Sequence, residues 1–176
     1  MKWKDKVFKE IIKEIDQDSA WKEITQKLKS NRNDFGVHVA IFSEPYLTLL
    51  ITGAKKVESR FSINRISPYG KIFAGDIVLV KKGGGPVVAI FVAGKVKFFS
   101  GLNVPKLKVV EEQYADLICS KVDPEFWHIR ENSKFGTLIE VGLVKEIGPV
   151  TINKSDRTAW SIVQNKVLSL FDNPLS

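Results

Sequence analysis

The sequence predicts an α+β domain: a small, partly closed barrel of five or six mainly antiparallel strands with short flanking helices and a helical extension in front. Three features point to it. The β-rich segments are short and separated by turns containing Gly or Pro. They do not alternate with long helices, which argues against a doubly wound sheet. The first thirty or so residues carry a helical period instead of a strand period.

Residues 3–28 open the chain. Trp3, Val7, Phe8, Ile11, Ile12 and Ile15 share one helical face, with Lys and Glu opposite. Asp16-Gln17-Asp18-Ser19 interrupts the pattern and offers a cap for a second helix burying Trp21, Ile24 and Leu28. Such a face packs either on the main domain or on a second copy of the chain. Residues 1–32 therefore read as an extension and 33–176 as the barrel, with Asn31-Arg32-Asn33-Asp34 as a polar linker.

Val37 to Phe42 is β-rich with weak alternation. Glu44-Pro45 opens a short helix whose apolar side is Tyr46, Leu49 and Leu50, and Gly53 ends it. From Lys56 to Ser62 the chain alternates, with Val57, Ser59 and Phe61 on one face and Lys56, Glu58, Arg60 and Ser62 on the other. Gly75-Asp76 turns into a strand over Ile77–Val80. Gly83-Gly84-Gly85-Pro86 then turns into a longer strand over Val87–Phe98. Pro105 breaks a loop, Val110–Cys119 reads as helix, and Asp123-Pro124 starts another short helix. Thr137–Val144 is a strand, Gly148-Pro149 a turn, and the tail from Thr158 fits strand or helix.

Composition narrows the class. With 176 residues, 44% hydrophobic and 27% charged, the chain is long enough for one real core. Its one cysteine, Cys119, and two histidines, His38 and His128, make neither an intramolecular disulfide nor a structural zinc set, so no metal or organic cofactor is expected. The N-terminus lacks the apolar core of a signal peptide, and the longest apolar run falls far short of the roughly 18 residues a bilayer span needs. A cytoplasmic protein that does not engage membranes is expected. The net charge of +7 is uneven: residues 53–110 hold eleven Lys and Arg against two acids, while 111–176 hold seven against ten. A chain polarised in this way can turn a positive face toward a polyanion.

The stretch from Tyr46 to Phe61 gathers chemistry. Lys55 sits in the turn after Gly53, and Glu58 and Arg60 share one strand face about 7 Å apart. In a cleft, Arg grips phosphate bidentately and Lys supplies a compact charge or, once desolvated, a base. On open surface the same spacing gives an ion pair of little weight. Other residues offer less. Arg65, Lys81 and Lys82 could line a phosphate track or remain solvated. Tyr46 or Trp127 could stack on a base or fill the core. Ser133 could offer a hydroxyl to the cleft or serve its loop.

Gly53-Ala54-Lys55-Lys56-Val57-Glu58-Ser59-Arg60 fits the pattern G-x-K-x-x-E-x-R and resembles the signature of the ASCH family. Its setting, between a Pro-containing short helix (Glu44 to Thr52) and a strand, is similar too, as is the turn Phe73-Ala74-Gly75-Asp76-Ile77-Val78. The resemblance spans about residues 37–145, with Trp160 as its outer bound. It implies a barrel similar to the PUA domain, an RNA-binding fold, with the motif on the floor of a cleft. It also implies binding of RNA or a modified nucleotide, with Gly53, Lys55, Glu58, Arg60, Arg65, Tyr46, Lys81 and Ser133 as candidate contacts.

Some members of that family are enzymes: one branch hydrolyses the acetyl amide of N4-acetylcytidine and another cuts RNA. For a hydrolase, Lys55 and Glu58 are the candidate catalytic pair. The deacetylating branch carries threonine where this chain has Glu58, which counts against that activity, and its later carboxylate has Glu111, Glu112 and Asp116 as nearby candidates. A third reading is an interaction protein, monomeric or dimeric through the N-terminal helix.

Overall fold

The computed structural model describes residues 2–30, 32–153 and 158–167, without the side chains of Lys2 and Trp3. The apolar role expected of Trp3, the linker position Asn31 and the tail after Val167 lie outside the described residues.

Two helices begin the chain, α1 (Lys2–Ile15) and α2 (Lys22–Lys29). Asp18 caps the 3-10 turn between them by accepting from the Ala20 amide. There follow β1 (Val37–Phe42), α3 (Tyr46–Ile51), β2 (Val57–Ser62), β3 (Ile77–Lys82), β4 (Val87–Ser100), α4 (Val104–Ile118), β5 (Phe135–Val150) and β6 (Trp160–Gln164). The six strands form one curled sheet in the order β2-β5-β4-β3-β1-β6. All neighbours are antiparallel except β1 and β3, which run parallel. The expected partly closed α+β barrel is therefore a half-barrel, with β2 at one end of the sheet and β6 at the other.

Two apolar layers hold it. On the outer face, Val7, Ile11, Ile15, Trp21, Ile24 and Leu28 pack against Val37, Val39, Ile77, Leu79, Val87 and Ile90. The helical extension is thus a layer of the same core, and the face left open above between docking and dimerisation is buried on the sheet. Each of these side chains, removed from water, stabilises by about 1.5–3 kcal/mol. On the inner face, Ala40, Phe42, Val78, Val80, Phe91, Ile139 and Trp160 pack with Leu47 and Leu50 of α3. Because β1 and β3 are covered on both sides, they read as apolar runs and not as alternating strands.

A buried polar knot fixes the start of β3. Asp76 accepts from the amides of Gly36 (2.6 Å) and Phe73 (2.9 Å), and its Oδ2 meets His38 Nε2 at 3.1 Å. Trp160 donates its indole N–H to His38 Nδ1, which leaves Nε2 as the ring's donor to Asp76. His38 is thus a satisfied core histidine that joins β1, β3 and β6.

Three local expectations are corrected. Pro105 breaks nothing: it lies in the first turn of α4, behind Asn103, whose side chain accepts from the Lys106 amide. The helix therefore starts six residues before Val110, and Cys119 closes it in a left-handed conformation. Gly148-Pro149 lies inside β5 and not in a turn. The pairing passes from Ala89↔Glu146 to Val87↔Val150, so the pair sits in a bulge where a missing N–H breaks no ladder bond. Asp123-Pro124 makes a turn, with Asp123 accepting from the Glu125 amide, and a 3-10 turn His128–Arg130 follows in place of a helix. Among the described residues no helix is long and apolar enough to cross a membrane.

Candidate functional site: a cationic cavity at the seam of the half-barrel

The site is built from the end of α3. Glu44 accepts from the amide and the hydroxyl of Thr48, which holds the first turn. At the other end Gly53 takes φ 77°, and the Lys55 amide reaches back to the Leu49 carbonyl at 2.8 Å. This sharp reversal carries Lys55 inward instead of out into water. The Lys56 amide bonds the Leu117 carbonyl, so the turn is also tied to the end of α4.

Lys55 is 2% exposed and Glu58 4%. Lys55 Nζ donates to the Ile118 carbonyl (2.8 Å) and lies 3.3 Å from Glu58 Oε2. The ammonium therefore rests between a carboxylate and the negative end of α4, with the Tyr46 ring 5.1 Å away. Glu58 Oε1 accepts from Arg60 Nε at 2.7 Å. Lysine, carboxylate and arginine are thus linked in a row, with Glu58 shared between the two cations. The alternation of β2 is responsible: Glu58 and Arg60 face the cavity, while Val57 packs beneath with Val110, Ile118, Phe126 and Leu138.

Arg60 does a second job. Its guanidinium donates to the Ile41 carbonyl on β1 (2.9 Å) and the Ala159 carbonyl just before β6 (3.5 Å), with Phe42 and Trp160 each 5.3 Å from it. Strand β2 stands at one end of the sheet, and β1 and β6 stand at the other. The two ends are joined here by a side chain and not by a ladder.

In that seam lies a cavity of about 960 Å³. Lys55, Glu58 and Arg60 line it together with Tyr46 and Arg65, all five singled out by the sequence. Arg65 is exposed, over the rings of Tyr69 (5.6 Å) and Phe135 (5.4 Å). The sequence did not single out Lys71, Thr137, Trp160 or Arg130 as contacts, yet all four line the same space. Among the described residues, five basic side chains thus meet one carboxylate.

Arg130 comes from the 3-10 turn and is half-buried. It donates to the Phe126 carbonyl and lies 3.7 Å from the centre of the Phe126 ring. Burial pulls its pKa below the usual arginine value, against the attraction of Tyr46, Asp123 and Glu58. Burial likewise pushes the Tyr46 phenol up, with Asp123 adding to the effect. Among the described residues the Tyr46 hydroxyl is buried without a partner.

The other sequence candidates lie outside the cavity lining. Gly53 shapes the turn. Lys81 sits on β3, paired in register with Ile41. The Ser133 amide closes a turn on the Arg130 carbonyl. Trp127 donates to Ser120 Oγ and packs edge-on against Phe61. Glu111, Glu112 and Asp116 belong to α4, where Asp116 pairs with Lys121, and His128 is exposed beside Glu131. Among the described residues no three His, Cys, Asp or Glu side chains gather around a point that could hold a metal ion.

Comparison with solved structures assigns the fold. A serine-to-alanine variant of the ASCH protein of Zymomonas mobilis superposes with a TM-score of 0.59, covering 75% of this chain and 91% of that one at 12% identity. The unsubstituted protein gives 0.57, covering 73% and 87% at 9% identity. A tyrosine-to-phenylalanine variant gives 0.54, covering 73% and 90% at 9% identity. The chain therefore has an ASCH-like fold. No family model and no curated protein matches its sequence.

Proposed function

We propose that this protein binds RNA or a modified nucleoside or nucleotide in the seam cavity. One observation carries the reading: a single cavity of about 960 Å³ is lined, among the described residues, by five cations and one carboxylate and walled by Phe42, Tyr46, Tyr69 and Trp160. Its size suits a mononucleotide-scale ligand. Aromatic walls suit the faces of an unstacked base, and the surplus of positive charge suits phosphate. The ASCH-like fold is in keeping with the same reading, and Lys55, Glu58 and Arg60 of the motif line the cavity.

Binding of a short single-stranded RNA, measured by fluorescence anisotropy, tests it. With about three phosphates contacted, affinity falls roughly 20-fold between 50 and 200 mM salt. Lys55→Ala weakens binding further at each salt concentration. Affinity that ignores salt, or that is the same in wild type and Lys55→Ala, refutes the reading.

The 3.3 Å approach of Lys55 Nζ to Glu58 Oε2 favours a second reading, hydrolysis of RNA or of an acylated nucleoside, since the two groups are within proton-transfer reach. Incubation with labelled RNA and with N4-acetylcytidine separates it from simple binding. Turnover that is abolished by Lys55→Ala supports it. Turnover that survives the substitution belongs to a contaminant.

A further inference from the structure

We infer that Arg130, together with the hydroxyl of Tyr46, receives the phosphoryl group of the cavity's ligand, and that Arg60 serves as the latch of the barrel instead. The inference rests on the proposed nucleotide-binding reading and makes it specific.

The cations of the cavity differ in what already holds them. Lys55 has Glu58 and the Ile118 carbonyl. Arg60 has Glu58, the Ile41 and Ala159 carbonyls, and rings close to its guanidinium. Both add their charge to the field of the cavity, but turning either one to grip an anion breaks bonds the fold already uses. Arg130 differs. Its face rests on the Phe126 ring, 3.7 Å from the ring centre, but of its five N–H donors one goes to the Phe126 carbonyl, and no carboxylate lies within ion-pair distance of it among the described residues. A half-buried guanidinium with no carboxylate in contact is poorly solvated, and the downward displacement of its pKa by burial is in keeping with that.

Tyr46 supplies the second, independent observation. Its hydroxyl is one of two buried side-chain polar atoms without a partner among the described residues, and Tyr46 lines this same cavity. Burial keeps the phenol protonated, so it enters as a donor. A planar fork of N–H groups and one O–H, all donors, call for a ligand with several acceptor oxygens and negative charge. A phosphoryl group has both. Arg65 and Lys71 are exposed and free of carboxylates among the described residues, and they extend the positive field toward solvent.

Inorganic phosphate is the direct probe, followed by NMR of the arginine side chains at low ionic strength. Phosphate at millimolar concentration moves one arginine Nε–H resonance, and that resonance is missing in Arg130→Lys. The dissociation constant rises at least about tenfold in Arg130→Gln, and Arg130→Lys recovers part of the loss. Tyr46→Phe weakens phosphate by a few fold; its hydroxyl has no protein partner, so this variant still folds should Arg130→Gln not. Phosphate that fails to bind, or that binds wild type, Arg130→Gln and Tyr46→Phe alike, overturns the inference.

Further arms separate the two claims and the two sources of phosphate. Cytidine that binds no more weakly than its 5′-monophosphate sinks the phosphoryl subsite and leaves the nucleoside reading standing. Phosphate that depends on Arg130, with no nucleoside or RNA bound, does the reverse. A preference for the monophosphate that is lost in Arg130→Gln marks a terminal phosphomonoester. An equal loss with RNA lacking terminal phosphates marks an internal phosphodiester.

Discussion

Replacing Glu58 by Gln keeps the shape of the side chain and removes the one negative charge in the row Lys55–Glu58–Arg60. Lys55, 2% exposed, is left with the Ile118 carbonyl as its single close oxygen partner besides the new amide. Arg60 retains the Ile41 and Ala159 carbonyls, and its side chain is 20% exposed, so water relieves part of its loss. Breaking one side of a buried pair costs about 3–5 kcal/mol. The retained amide oxygen and the partial exposure of Arg60 put Glu58→Gln at the lower end, about 3 kcal/mol. With a urea slope of about 2 kcal/mol/M, the unfolding midpoint drops by roughly 1.5 M, read by tryptophan fluorescence.

The two buried charges are coupled, so their substitutions do not add. Lys55→Met removes the stranded ammonium, so Lys55→Met/Glu58→Gln is more stable than the sum of the two single changes by about 1–2 kcal/mol. A midpoint for Glu58→Gln within a few tenths of a molar of wild type refutes this account. So does strict additivity in the double mutant.

Other outcomes follow from features away from this row. Ile11→Ala empties a fully buried position between α1 and the sheet, and it lowers stability by about 2–5 kcal/mol by urea titration. Gly53→Ala meets nothing nearer than the Lys56 ammonium at 3.9 Å, so its effect is the backbone penalty at φ 77° alone, about 1 kcal/mol. Gly36→Ala instead brings a Cβ to 2.6 Å of Asp76 Oδ2 inside the buried knot, and its loss of thermal midpoint exceeds that of Gly53→Ala. The Lys145 side chain holds Asp18 below the usual carboxylate range, aided by the Ala20 amide. A lowered native pKa stabilises above the unfolded value and fades as pH falls through the native one. The stability gap between wild type and Asp18→Asn is therefore present at neutral pH and shrinks below about pH 4.

The legible parts of the fold are those whose cause is local. The stripe Val7, Ile11, Ile15 and the alternation around Glu58 and Arg60 are periodicities, and both survive in the structure. The motif around Lys55 could be read because Gly53 dictates a reversal within a few residues. Less was legible where cause is distant. Strand β1 alternates weakly because α1 and α2 cover its second face. Pro105 looked like a stop because its cap, Asn103, gives little signal alone. Arg130 had no signal at all: it reaches the cavity through a 3-10 turn about seventy residues after β2, and nothing near it in sequence refers to Tyr46. The backbone partners of Arg60 were equally silent, since the carbonyls of Ile41 and Ala159 carry no residue code.

Closing the sheet with a guanidinium gives the molecule an adjustable joint. In a barrel closed by backbone pairing, the bore is set by strand number and stagger, and widening it means re-threading the whole wall. Here the gap between β2 and β1 is spanned by the length of one arginine. A shorter or longer residue at that position resets the aperture while every strand keeps its pairing, so the width of the cavity can drift by single substitutions on an unchanged framework.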